Sequence, residues 1–318
     1  MRKVFIKGFF FVSISLLLLY TLQCIVNKGL KKSRMQYYAT WNDIYDGKIN
    51  ADVLICGESR AKLTYSPRIL DSVLGMDCFN LGINGAHLPL QMARLKIYLQ
   101  HNKKPKYIIQ SVDFYMLCDE DHLVDYDQFL PYLNDTVLTN VINGYKERFT
   151  IPELYFPMFR YNNHLNLVKE GIFCYFGFKN RASSNLYKGF AGASFAFDDF
   201  FIKDMHKDAD AIKNCIDPKI AEQFEDYLKF CKANDIKLVF VYEPVMKEVS
   251  YLVQPDSSAI TRALTGYAKE YNIPFLMYFN DSIGLHKELF IDHVHLRGNG
   301  AEIFSREVAQ DLKGVVKP

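Results

Sequence analysis

The sequence predicts an α/β protein: a three-layer α/β/α sandwich on a mainly parallel sheet, with an aromatic-rich insertion and an N-terminal transmembrane helix. Three observations lead there. Short apolar runs alternate with stretches of helical periodicity along most of the 318 residues. The runs are apolar on both faces, as strands are when helices cover a parallel sheet from both sides. Hydrophobic residues make up 49% and charged residues 23%, which provides a sizeable core and excludes disorder as a description of the whole chain. The 38 basic residues nearly match the 36 acidic ones, so nothing in the charge points to a nucleic acid or another polyanion.

The elements follow in order. Residues 1–7 form a short basic N-terminus with Arg2, Lys3 and Lys7. Residues 8–26 carry no charge and, at about 1.5 Å per helical residue, reach roughly 28 Å, close to the thickness of a hydrocarbon core. No A-x-A pattern follows, and Gln23 before Cys24 does not make a lipobox. The stretch therefore reads as an uncleaved single-pass anchor in the cytoplasmic membrane, not a signal peptide. Lys28, Lys31, Lys32 and Arg34 come next, so basic residues flank both ends and charge alone does not orient the span. Residues 27–50 read as a polar juxtamembrane stalk, and the α/β domain occupies 51–318.

Its strands are expected at 52–56, 76–81, 107–112, 237–242 and 273–278. Leu88, Met92, Leu95 and Leu99 recur at helical spacing between the second and third. Asp217 before Pro218 opens a helix whose apolar face is Ile220, Phe224, Tyr227, Leu228 and Cys231. Asp256 or Ser257 caps another, carrying Ile260, Leu264, Tyr267 and Tyr271. Asn299, with Glu302 three residues on, caps the last, with Phe304, Val308 and Leu312 on one face.

Between about 114 and 205 the alternation breaks, and close to half of the 25 Phe and 21 Tyr fall there. These rings either pack on one another in a helical or loop-rich insertion or present a platform on which sugars stack. Seven cysteines are scattered without a C-x-x-C pair, which removes zinc-ribbon and thioredoxin spacing. Their odd number speaks against a disulfide framework, and Cys56 and Cys78 read as small buried hydrophobes.

Three short segments carry chemistry. Cys56, Gly57, Glu58, Ser59 and Arg60 follow the first strand, at the carboxyl edge of a parallel sheet where sites form. A serine in a small-residue turn there either caps the next helix or presents its hydroxyl at a helix N-terminus that favours negative charge. Phe79, Asn80, Leu81, Gly82, Ile83, Asn84 and Gly85 end the second strand, and the glycines let backbone N–H groups approach a reacting oxygen, or simply make a tight turn. Near the C-terminus, Asp292 stands three residues before His295 in a loop after a strand-like LFI run. From there its carboxylate can hold one imidazole nitrogen and leave the other to take a proton from a serine. The two His and one Asp of this loop could instead ligate zinc, but no fourth ligand stands at a suitable spacing.

Strand–GxSR, strand–NLGxxG and a C-terminal DxxHL, in that order, resemble the SGNH (GDSL-like) hydrolase superfamily over about residues 51–312, the insertion excepted. The membrane anchor makes the chain look more like its branch of DltD-like and envelope polysaccharide O-acetylation proteins. The resemblance implies a flavodoxin-like SGNH fold and a serine-dependent acyl esterase or O-acyltransferase, with Ser59 as nucleophile, His295 as general base and Asp292 as its orienting acid. It implies that the N–H groups of Ser59 and Gly85 form part of an oxyanion hole, and it calls for no cofactor or metal. It further implies an envelope or exported glycan as acyl donor or acceptor, a multispanning membrane acyltransferase as partner, and an extracytoplasmic body.

One departure is plain. The family's third block holds an Asn that donates to the oxyanion, whereas here Gln110, Ser111, Val112, Asp113 and Phe114 follow one another. An ionised Asp113 accepts hydrogen bonds and cannot donate them, so Ser111 and Asn84 are the candidate substitutes. Glu243, after the fourth strand, is expected on the rim of the site as a substrate-positioning group. The alternative to an enzyme is a non-catalytic SGNH-like scaffold, or a glycan-binding partner of a membrane acyltransferase.

Overall fold

The computed structural model describes residues 1–119, 122–146, 148–178, 186–199, 215–251 and 259–317. In chain order the main elements are α1 (Arg2–Leu30), α2 (Gln36–Tyr45), β1 (Val53–Cys56), α3 (Ser59–Thr64), α4 (Pro67–Leu74), β2 (Cys78–Asn80), α5 (Leu88–His101) and β3 (Tyr107–Ser111). They continue with α6 (Thr136–Ile142), α7 (Ile151–Tyr155), α8 (Leu165–Tyr175), α9 (Pro218–Ala233), β4 (Lys237–Tyr242), α10 (Ala259–Glu270), β5 (Phe275–Met277) and α11 (Gly298–Leu312). The chain divides into two compact units. One comprises Met1–Asp43 and Asp121–Ser184, the other Ile44–Glu120 and Asn185–Pro318.

The second unit is an α/β/α sandwich. Its five strands are all parallel in the order β2-β1-β3-β4-β5, with Ile55 opposite Asn80 on one side and Ile109 on the other. Strands β1, β2 and β3 are buried along their whole length, as VLIC, CFN and YIIQS require when both faces are covered. β5 closes the edge and is only half-buried. Helices α3 and α4 pack on α11, while α5 packs on α9. Strand order reverses between β1 and β3, the switch point where this architecture opens a crevice at the carboxyl ends of its strands.

The ends of the elements show where local rules were enough. Asp217 caps α9 by accepting from the N–H groups of Lys219 and Ile220, at 2.8 and 3.0 Å. The N-cap of α11 is Arg297, not Asn299, which lies inside the first turn and binds the Gly300 N–H with its own side chain. The LFI run is not a strand. A 3-10 turn at Lys287–Leu289 leads into a single antiparallel bridge between Phe290 and Leu296, which pinches the intervening loop. In α5 the buried face includes Gln91 and Arg94, both bonded to backbone carbonyls, whereas Met92 and Leu99 are half-buried. The expected caps Asp256 and Ser257 lie outside the described residues. Cys118 and Cys215, with Cα atoms 5.3 Å apart, are bonded, and five thiols stay free. An odd count leaves at least one thiol unpaired but does not forbid a pair.

The first unit is helical. α1 is long and apolar enough to cross a membrane, and it is solvent-exposed over most of its first twenty residues. Its last turns are packed: Val26, Gly29 and Leu30 are buried. Gly29 faces Gly171 of α8 so closely that a Cβ at either would strike the other helix's backbone, the small-residue contact that lets helices touch. The 27–50 stretch, expected as a polar stalk, carries fully buried Trp41 in this unit and fully buried Ile44, with which the second unit begins. Trp41 donates to Gln128 and packs its ring on Phe129 and Tyr132. Among the aromatic residues of the insertion, Phe129, Tyr132 and Tyr161 are buried, whereas Tyr155, Phe156, Phe173, Phe176 and Phe178 are exposed.

Candidate active site

β1 delivers the chain into a turn that only glycine can make. Gly57 has φ +149°, and a Cβ there would meet the Cβ atoms of Ala61 and Ser111, each at 2.7 Å. Ser59 follows as the first residue of α3, where backbone N–H groups have no intrahelical acceptor. Its Oγ lies 2.7 Å from His295 Nε2, although the two residues are 236 positions apart. His295 Nδ1 in turn lies 2.7 Å from Asp292 Oδ2. The other carboxylate oxygen, Oδ1, accepts the backbone N–H groups of Val294 and His295 at 2.9 and 2.8 Å, so Asp292 is clamped by its own loop. Burial pushes its carboxyl up, but the bonds from His295 and the two N–H groups outweigh that and hold it below the ordinary carboxylate value.

The loop after β2 lies against this turn. Leu81 N–H donates to Ile55 O, Ile83 N–H donates to Gly57 O, and a Cβ at Gly82 would strike Lys62 N at 2.5 Å. Fully buried Asn80 fastens the loop to α3, its Nδ2 donating to Ala61 O and Tyr65 O and its Oδ1 accepting Gly82 N–H. Gly85 adopts φ +56°, and its N–H donates to no carbonyl among the described residues. Asn84 is half-buried, with its side-chain oxygen enclosed and without a hydrogen-bond partner.

The other three candidates take places the sequence does not show. Glu243 is 1% exposed and therefore faces inward, away from any rim. Tyr65 Oη donates to its Oε1 at 2.6 Å, and the Arg60 guanidinium stands 3.7 Å from its Oε2. Arg60 also donates to the Glu243 and Pro244 carbonyls and covers the Tyr242 ring at 5.5 Å. Burial pushes the Glu243 carboxyl up, against the pull of Arg60, Ser111 and Tyr65. Ser111, the last residue of β3, is buried and lies against Gly57. Asp113 accepts the Tyr115 N–H at 2.8 Å and starts the turn after β3, an acceptor's role.

Sequence reasoning passed over several residues here. Arg60 and Tyr65 tie α3 to the end of β4, and the only signal was the position of Arg60 next to Ser59. Glu58 pairs with His87, the N-cap of α5, at 3.4 Å and joins the serine turn to the far end of the β2 loop. His293 is buried against Phe197 and is not part of the serine–histidine series. Among the described residues no cluster of His, Cys, Asp and Glu could hold a metal ion. A pocket of about 390 Å³, lined by Tyr107, Leu228, Lys237 and Pro274 among others, opens at the opposite, amino end of β3 and β4.

No family model matches the chain, and no curated protein matches it. Among solved structures it is similar to a "putative acylhydrolase" from Bacteroides fragilis, at 12% identity over 82% of this chain and 86% of that one, with a TM-score of 0.37. It is also similar to a "putative platelet activating factor" from Streptococcus pneumonia, at 13% identity over 92% and 98%, with a TM-score of 0.39. Superpositions this loose carry no weight for the fold or the chemistry of this chain.

Proposed function

We propose that this protein is a membrane-anchored, SGNH-like serine acyl esterase or O-acyltransferase that acts on ester groups of an envelope or exported glycan. The observation that carries the reading is the hydrogen-bonded series from Ser59 Oγ through His295 to Asp292, at 2.7 Å for each link. In this reading His295 Nε2 takes the Ser59 proton as Oγ attacks an ester carbonyl, and Asp292 steadies the imidazolium. The N–H groups of Ser59 and Gly85 hold the tetrahedral oxyanion, with the Asn84 side-chain amide as the third donor once its nitrogen turns inward. His295 then protonates the leaving alkoxide. Water as second nucleophile gives hydrolysis, and a sugar hydroxyl gives transfer.

The body faces outward from the cytoplasmic membrane in this proposal. The Cys118–Cys215 pair supports that side, because disulfides persist in oxidising compartments. A glycan substrate and a multispanning acyltransferase partner rest on the motif resemblance. The non-catalytic scaffold reading draws support from Asp113, an acceptor where the family keeps a donor. One experiment separates the two: treat the full chain in detergent with a fluorophosphonate probe, beside Ser59→Ala and His295→Ala. Labelling of the wild type that both variants lose is the expected result. A folded wild type that takes no label leaves the scaffold reading standing.

A further inference from the structure

We propose that the exposed apolar edge at residues 151–159 is a second membrane contact, seated in the headgroup layer beside the anchor; the inference rests on α1 spanning the bilayer. Ile151, Tyr155, Phe156 and Phe159 are 71, 78, 58 and 47% exposed, and α7 buries none of its residues. A water-facing segment is not expected to gather such side chains, and a contiguous apolar patch marks an interaction surface.

The edge is nevertheless well held. Thr150 and Glu153 form a capping box at the start of α7. Arg160, only 5% exposed, donates to the carbonyls of Glu153, Leu154 and Leu130. The backbone is fixed while its apolar side chains point away from the unit's own core.

Its depth is fixed as well. Met158 N–H donates to Gln23 Oε1 at 2.7 Å, and Tyr161 Oη donates to Asn27 Oδ1 at 2.5 Å. Gln23 lies within about 5 Å, along the helix axis, of the end of the uncharged 8–26 stretch. The two bonds therefore hold the C-terminal end of the edge near the level where the uncharged stretch ends. Tyrosine and phenylalanine in that layer keep their rings among the upper acyl chains, and the Tyr155 hydroxyl can reach water. Lys28, in the last turn of α1, adds a cation suited to an anionic headgroup. A sugar platform, the other use for these rings, would not require a place at this depth on the anchor.

The test uses the full chain in vesicles of phosphatidylcholine and phosphatidylglycerol, with Tyr155→Trp or Ile151→Trp as reporter. Both sites are exposed, so either substitution spares the fold, and the native Trp41 is fully buried and gives a constant background. Leu17→Trp, in the exposed part of α1, reports the anchor itself. Reporter emission from the edge is expected to be roughly halved by lipids brominated near the glycerol and shielded from aqueous iodide, with Leu17→Trp quenched by bromines near the chain ends. Iodide quenching and no bromine effect at the edge, with Leu17→Trp still quenched, would overturn this proposal alone. A response of that water-exposed reporter to cell-wall glycan fragments would overturn it in favour of sugar binding. Loss of quenching at Leu17→Trp would bring down the anchor reading and this proposal with it.

Discussion

Asp292 and Glu243 are two carboxylates of one unit that the fold treats in opposite ways. Asp292 sits in a half-buried loop and is bonded within three residues of itself. Glu243 is closed off from solvent and held by Arg60 and Tyr65, which come from the distant α3 segment. Hydrogen bonds win at the first and its carboxyl titrates low; burial wins at the second and its carboxyl titrates high. The difference separates two tasks. In the proposed mechanism Asp292 holds the base, whereas Glu243 stands against Arg60, in the helix that begins at Ser59. We therefore treat Glu243 and Arg60 as positioning residues.

The sharpest way to test this division is Asp292→Asn. Its effect belongs mainly to chemistry: about a 10⁴-fold slower reaction with the fluorophosphonate, because the imidazole is left in the wrong tautomer, with only a small drop in the urea midpoint at neutral pH. Glu243→Ala should do the reverse. Leaving the Arg60 guanidinium buried without its partner is expected to lower unfolding free energy by about 3–5 kcal/mol, read from urea denaturation. A Glu243→Ala protein as stable as wild type would collapse the comparison. Asn84→Ala comes next in size, a loss of about a hundredfold in labelling rate if its amide supplies the oxyanion donor that Asp113 cannot.

The smallest effect is in the pH dependence. Glu243 is raised above 4.5 in the folded state, so its contribution is complete below that value and declines as pH rises through its folded titration. The stability of Glu243→Gln relative to wild type should therefore improve from about pH 4.5 towards neutrality. Asp292 is lowered below 3.8, so its contribution is present above that value and lost as pH falls through its folded titration. Asp292→Asn should accordingly close its gap to wild type under acid. Parallel pH profiles for the two variants would show that the carboxylates do not differ in the way described.

What could be read from the sequence is what depends on near neighbours. The 237–242 strand matches its structural bounds, and Asp217 caps its helix as the Asp-Pro pair suggests. The Asp292–His295 contact was legible because it spans three residues. The facing of Glu243 was not, since the last residue of an apolar run can turn to either side and only α3, 183 positions away, decides which. The LFI run had the composition of a strand but no neighbouring strand to pair with, and β-structure needs a partner. Trp41 and Ile44 sit in a stretch whose charges suggest a tether, and the buried pair outweighs them.

The close approach of Gly29 and Gly171 changes what it would mean to cut this protein loose. α1 is not a leash from which the rest hangs: its last turns pack against α8, and Gln23 satisfies a backbone group of the same unit. If α1 is the anchor proposed above, a protease that severed the chain after Leu30 would detach residues buried in that unit. On that reading the released body would be a damaged protein, and shedding would end its working life and not free it to diffuse.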